Sequence, residues 1–170
     1  MIFFVLTSFV YLWRSYFVLL PKERARVWGF GFRELSEEIK KRSGEKFMID
    51  QARSKPAYIE LAFFLRYPPE TFHQEVDAGI KKNYYTDPSF NENYKFGNIE
   101  TRTLNWEEDI YKEQILVGDD LAISDEQVNE HFLIKVFEIK DPLDSTIFVG
   151  YKTNPRQKCA KVLYKYPLCK

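Results

Sequence analysis

The chain has 170 residues, with 25 Lys and Arg balanced by 25 Asp and Glu for a formal net charge of +0. Hydrophobic residues make up 45% and aromatic residues 17%, which suits a packed core and excludes a disordered chain. The balanced charge supplies no basic field to draw in nucleic acid, and no low-complexity tract or internal repeat points to a linker or a solenoid.

Met1 to Leu20 read MIFFVLTSFVYLWRSYFVLL, and Arg14 is the one charged residue among them. A helix of about twenty residues reaches about 30 Å, the hydrocarbon thickness of a bilayer. Tyr11, Trp13 and Tyr16 fall where an aromatic interface belt is expected, and Arg14 is long enough to snorkel to the headgroups. Pro21 is expected to stop the helix, after which Lys22, Glu23, Arg24 and Arg26 begin a water-soluble stretch. A cleaved signal peptide wants basic residues before the apolar run and a small-residue cleavage site after it, and neither is present. A buried core helix is rarely apolar on every face. The reading is therefore a transmembrane helix at 1–20, a soluble α/β domain at 21–155 and a tail at 156–170. Positive charges follow the helix, which taken alone points the domain into the cytoplasm, unless earlier helices set the direction.

Beyond the helix, Phe30 to Ser43 form an amphipathic pattern with Phe32, Leu35 and Ile39 on one face. Its acids lie early and its bases late, complementing the helix dipole, and Gly44 is the candidate C-cap. Phe47-Met48-Ile49 reads as a buried strand, and Asp50 to Lys55 as a loop. Pro56 opens a second helix with Ser54 as candidate cap and Tyr58, Leu61, Ala62 and Leu65 as its apolar face, widened by Phe63 and Phe64. Pro68-Pro69 ends it. Thr71 to Val76 reads as a strand, giving a strand-helix-strand crossover onto a parallel sheet. Asn83 to Asn98 reads as a long loop.

A strand at Ile99 to Leu104 follows, then a short helix over 106–111 with Asn105 as N-cap. Gln114 to Val117 is a further strand, stopped by Gly118-Asp119-Asp120, and Ser124 to Glu130 a further helical turn or two. Phe132 to Lys140 and Thr146 to Lys152 flank the turn Asp141 to Ser145 and predict an antiparallel hairpin at a sheet edge. The fold class is α/β: a mixed, mostly parallel sheet with flanking helices and a C-terminal β-hairpin, preceded by one N-terminal transmembrane helix.

Motifs that carry chemistry are scarce. Asp50 to Ser54, after the first strand, lack the glycines that let backbone approach a pyrophosphate. His73 and His131 have no companion at metal-ligand spacing, so neither a metal nor another cofactor is expected. No serine sits in a nucleophile elbow. Glu37-Glu38, Glu107-Glu108 and Asp119-Asp120 read as solvated acids, since neighbours along a helix point in different directions. Cys159 and Cys169 fit no zinc or redox spacing and are open to two readings, a disulfide in an oxidising compartment or two free thiols. Arg24, Arg26 and Arg33 lie just past the apolar helix, where guanidinium forks can meet lipid phosphates or serve as ordinary flanking charge.

One run of segments carries a family resemblance. In order they are VWGFGFREL at 27–35, a strand, KPAYIELAFFL at 55–65, YPPETFHQ at 67–74, YKFG at 94–97 and LNW at 104–106, closed by a hairpin. Over residues 1–155 this resembles the last membrane helix and C-terminal soluble region of bacterial membrane glycosyltransferases related to protein O-mannosyltransferases and aminoarabinose transferases. The resemblance implies an integral-membrane enzyme that moves a sugar from a polyprenyl-phosphate carrier to a lipid, glycan or protein acceptor outside the cytoplasm. It implies a domain on the outer face, oriented by preceding helices. The family's catalytic carboxylates lie near its N-terminus, so no catalytic residue transfers to this chain, and a chain of this extent is expected to be inactive by itself. Its implied partners are the bilayer, the lipid-linked donor and the upstream transmembrane portion of the enzyme. A single-pass envelope binding or scaffold module is the alternative.

Overall fold

The computed structural model describes residues 2–51, 56–76, 93–161 and 169. It opens with a helix running through α1 (Ile2–Arg14), a π-helical segment at Ser15–Leu19 and α2 (Leu20–Glu23). Pro21 does not stop this helix as its ring chemistry suggested. A proline lacks the N–H that would bond the carbonyl four residues earlier, and its ring crowds that carbonyl. The π segment widens the turn just ahead of it, where the Leu20 N–H bonds Ser15 O. Regular pairing then resumes, with the Arg24 N–H donating to Leu20 O at 3.0 Å.

A 3₁₀ turn at Ala25–Trp28 leads into α3 (Phe32–Lys41). Gly31 holds the N-cap position at φ +95°, a conformation that favours glycine, and a side chain there would press on Phe148 and Ile147. Helix α3 buries Phe32, Leu35 and Ile39, the face its periodicity predicted, together with Ser36. Arg42 rather than Gly44 occupies the C-cap.

Strand β1 (Phe47–Asp50) is buried along its whole length. It is followed by α4 (Ala57–Leu65), whose N-cap position is held by Pro56, while Ser54, the expected cap, lies outside the described residues. The stretch Thr71 to Val76 is not a strand but lies in and just after helix α5 (Pro69–Glu75). Pro69 pre-sets the first turn, Glu70 complements the dipole, and the Val76 N–H closes on Phe72 O at 3.0 Å. The alternating pattern that suggested a strand also fits Phe72 and Val76 at helical spacing.

Of the expected loop at Asn83 to Asn98, residues 83–92 lie outside the described residues. Its end is strand β2 (Tyr94–Phe96), which turns at Gly97-Asn98 and pairs antiparallel with β3 (Ile99–Arg102). Gly97 takes φ +54° in that turn. Helix α6 (Trp106–Asp109) is capped as expected, the Asn105 side chain accepting from the Glu107 N–H at 3.1 Å. Next come β4 (Ile115–Gly118), α7 (Asp125–His131) and the hairpin of β5 (Ile134–Lys140) and β6 (Thr146–Lys152). A further helix, α8 (Pro155–Lys161), occupies the start of the tail, and Cys159 pairs with Cys169 in a disulfide.

The sheet order is β2-β3-β1-β4-β6-β5. β3, β1 and β4 run parallel at the centre, and the remaining pairings are antiparallel. Alternation along β1 sends Phe47 and Ile49 to one face and Met48 to the other. The first face carries Leu35 and Ile39 of α3 and Ala57 and Leu61 of α4. The second carries Ile123, Leu133 and Trp106, so helices cover both sides of the parallel centre.

Helix α7 has a capping box: Ser124 Oγ accepts from the Gln127 N–H at 3.4 Å, and the Gln127 side chain accepts from the Ser124 N–H at 3.0 Å. Ser124→Ala removes one bond of that box, and a loss of about 1 kcal/mol is expected. Chemical denaturation of the full chain in detergent checks this; an unchanged midpoint would show that the box adds nothing.

Candidate functional site

Helix Phe3–Glu23 has 21 residues with a mean hydropathy of 1.6 and none of its apolar window buried, so it is long and apolar enough to cross a membrane. The three arginines expected to meet phosphate divide into two settings. Arg24 is exposed at the C-cap of α2, where its carbonyl accepts from the Val27 and Trp28 N–H groups at 3.0 and 3.2 Å. Arg26 lies in the 3₁₀ turn that these bonds close. Arg33 stands apart on α3 and pairs with Glu37 at 3.7 Å, both side chains exposed. Local salt pairing thus partly occupies Arg33, while the backbone keeps Arg24 and Arg26 together at the end of the apolar helix.

Beside that turn, Tyr16, Phe17, Leu20 and Pro21 of the helix face Ala25, Trp28 and Phe30 across an apolar groove of about 540 Å³. The groove lies where the apolar helix gives way to the 3₁₀ turn after Glu23. The Phe30 N–H bonds Ala25 O at 3.0 Å, and Gly29 takes φ +71°. The groove lining is apolar throughout, which suits it to a hydrocarbon group rather than a polar one.

The carboxyl ends of the parallel strands, where ligands of open α/β sheets usually bind, are committed to structure. Asp50 accepts the Leu104 N–H at 3.1 Å. Arg102 grips the fully buried Asp109 through two bonds of 2.7 and 2.5 Å. Burial pushes the Asp109 carboxyl up, but bonds from the Arg102 guanidinium, the Asn105 N–H and the Gln114 amide outweigh it and hold the group below its ordinary range. Nothing in the sequence marked Asp109 out from Glu107 and Glu108 beside it.

Asp119 and Asp120 do not act as a pair. Asp119 accepts from the Leu121 and Ala122 N–H groups at 3.2 and 2.9 Å, which makes it a turn-former. His73 is exposed on α5 rather than alternating in a strand. His131 stacks on Trp106 at 4.9 Å and lies 3.0 Å from Lys158 Nζ. Burial first, and the Lys158 ammonium second, lower its pKa. Among the described residues, no group of three or more His, Cys, Asp and Glu is placed to hold a metal ion.

At the first edge of the sheet, Glu75 accepts from the Tyr67 hydroxyl and the Gly97 N–H, both at 2.7 Å, tying α5 to the β2–β3 turn. Burial, and then the Glu75 carboxylate, push the Tyr67 phenol up to about 12. Tyr58 stacks on Tyr94 at 3.7 Å, with Phe72 parallel to both. At the amino ends of β3, β1 and β4 lies a polar cleft of about 890 Å³, lined in part by Lys46, Lys95, Lys112, Glu100 and Glu113.

No protein-family model matches the chain, and neither a curated protein nor a solved structure is found to be similar to it.

Proposed function

We propose that the chain is the non-catalytic, extracytoplasmic C-terminal part of a membrane glycosyltransferase that transfers a sugar from a polyprenyl-phosphate carrier to a lipid, glycan or protein acceptor. One observation carries the membrane half of this reading. The helix Phe3–Glu23 is apolar and no residue of its apolar window is buried by the domain it adjoins, so most of it would face water in the absence of a bilayer. The enzyme class rests on the segments at 27–35, 55–65, 67–74, 94–97 and 104–106 that resemble the transferase family. Arg24 and Arg26, which follow the apolar helix along the chain, are suited by residue type to the carrier's phosphate; Arg33, paired with Glu37 at 3.7 Å, is less so.

The Cys159–Cys169 bond supports the outer face, because such bonds persist in oxidising compartments. Lys22, Arg24 and Arg26 bias the other way, a bias that preceding helices override.

The test is expression of the full, tagged chain in bacteria. It should resist carbonate extraction from membranes and crosslink to a polytopic protein. That complex, and not the chain alone, should transfer labelled sugar from the polyprenyl carrier. An impermeant maleimide should label spheroplasts at Cys159 and Cys169 only after reduction. A carbonate-soluble chain, or sugar transfer by the chain alone, contradicts the proposal.

A single-pass envelope binding module is the second reading, favoured by the lysine- and glutamate-lined cleft at the amino ends of the strands. It is distinguished by recovery of a glycan or peptide on the tagged domain with no polytopic transferase attached.

A further inference from the structure

Four large apolar side chains stand out from the domain beside the apolar helix. Val27 and Trp28 are 71% and 75% exposed, and Ile59 and Phe63 are 51% and 74% exposed. The first two belong to the 3₁₀ turn that begins two residues after Glu23. Ile59 and Phe63 are four apart on α4 and so share one helix face. The two elements adjoin, since the Glu60 carboxylate packs against Gly29, a Cβ at which would lie 3.4 Å from it. Monomeric soluble domains rarely leave several large apolar side chains exposed on adjoining elements without a partner for them.

We propose that this surface is a second membrane contact: the 3₁₀ turn and the outer face of α4 lie in the headgroup and upper acyl region, so that the domain reclines on the bilayer. The proposal rests on the reading that Phe3–Glu23 crosses the membrane. Given that, Val27 and Trp28 come so soon after the span that they cannot stand far from the bilayer surface. The patch continues the apolar groove, which Trp28 itself lines together with Phe17 and Leu20 of the helix.

Its basic flanks match anionic headgroups. Lys22 and Arg24 stand at the end of the span, and exposed Lys40 and Arg66 stand at the far end of α4, where Lys40 Nζ donates to Phe64 O at 3.1 Å. Tryptophan with basic neighbours is the composition favoured at an interface.

The test labels Leu12→Cys, Phe63→Cys and Leu121→Cys variants of the full chain with NBD, the native cysteines kept in their disulfide. Each is placed in phosphatidylcholine–phosphatidylglycerol vesicles carrying a lipid-borne doxyl quencher. Leu12 reports the span. Leu121, 69% exposed beside Ala122, which packs on the sheet face away from α4, reports the solvated side.

Emission at 63 is expected to shift to the blue and fall about twofold with the quencher, as for a group seated below the headgroups, while emission at 121 stays water-like. Adding Trp28→Ser and Ile59→Ser should return position 63 to the behaviour of 121 and leave position 12 quenched. Quenching at 12 with a water-like signal at 63 overturns the reclining surface alone. A water-like signal at 12 overturns the membrane span, and this inference with it. Equal quenching at 63 and 121 overturns the specific surface in favour of general adsorption.

Discussion

Asp109→Ala is expected to destabilise the domain by about 3 kcal/mol, the lower end of the range for stripping one partner from a buried ion pair. The carboxylate is fully buried and accepts from three directions: the Arg102 fork, the Asn105 N–H at 2.9 Å and the Gln114 amide at 3.3 Å. Its removal leaves all three donors without that acceptor. The loss stays at the lower end because Arg102 keeps its bond to Glu100 at 2.6 Å. For a chain of this size it should lower the melting midpoint by roughly 10 °C.

Acid supplies a second readout. The folded-state pKa of Asp109 lies below its ordinary value, so its contribution is fully present above about pH 4, the unfolded value, and is lost as pH falls through the folded one. Melting curves of wild type and Asp109→Ala should therefore converge in acid. A constant gap across that window would mean the carboxylate contributes packing and not charge.

Where one physical signal dominated, the fold was legible in the residues. Phe47-Met48-Ile49 are apolar and β-prone because β1 lies between two parallel neighbours, and the turn at Asp141 to Ser145 announced the hairpin. The apolar helix followed from a run with a single charge up to Leu20, though its continuation past Pro21 did not. Legibility failed where two periods fit the same residues. Thr71 to Val76 satisfies both alternation and a helical stripe, and Pro69 in a first turn decided for the helix. Strand β2 was hidden because Tyr94 and Phe96 follow a stretch of Asn, Asp and Tyr residues broken by Pro88, and its partner Thr101 comes only after the turn.

Of the candidate residues, proximity to the apolar helix singles out Arg24 and Arg26 in the sequence, whereas Glu37, which pairs with Arg33, reads there only as a solvated acid in a run that complements the helix dipole. The exposed face of Ile59 and Phe63 could not be told from a core face, because α4 is apolar nearly all round. Which side is covered depends on α3 and the sheet, contacts that no local pattern encodes.

Gly150→Ala is expected to cost about 3 kcal/mol, the upper end for overpacking a core. Gly150 is a buried β6 residue that pairs with Phe137 on β5, and the Phe137 ring occupies the space above it. An added Cβ would overlap that ring. The strand cannot easily retreat, since β6 is also paired with β4 through Val117. The ring also packs with the Arg42 guanidinium, 5.7 Å from its centroid, which limits its freedom to move.

An aromatic ring laid across a strand glycine is a known device for sealing the gap such a glycine leaves. The cost should therefore belong to the pair rather than to the backbone at Gly150. Phe137→Ala alone exposes the glycine and loses ring burial. Combined with Gly150→Ala, the overlap disappears, so the double variant should be more stable than the sum of the single losses predicts. A coupling of about 1 to 3 kcal/mol in a double-mutant cycle, measured by thermal melting in detergent, is the expected result. Additive losses would mean that the overlap is relieved elsewhere, through the irregular register between Lys135 and Phe137.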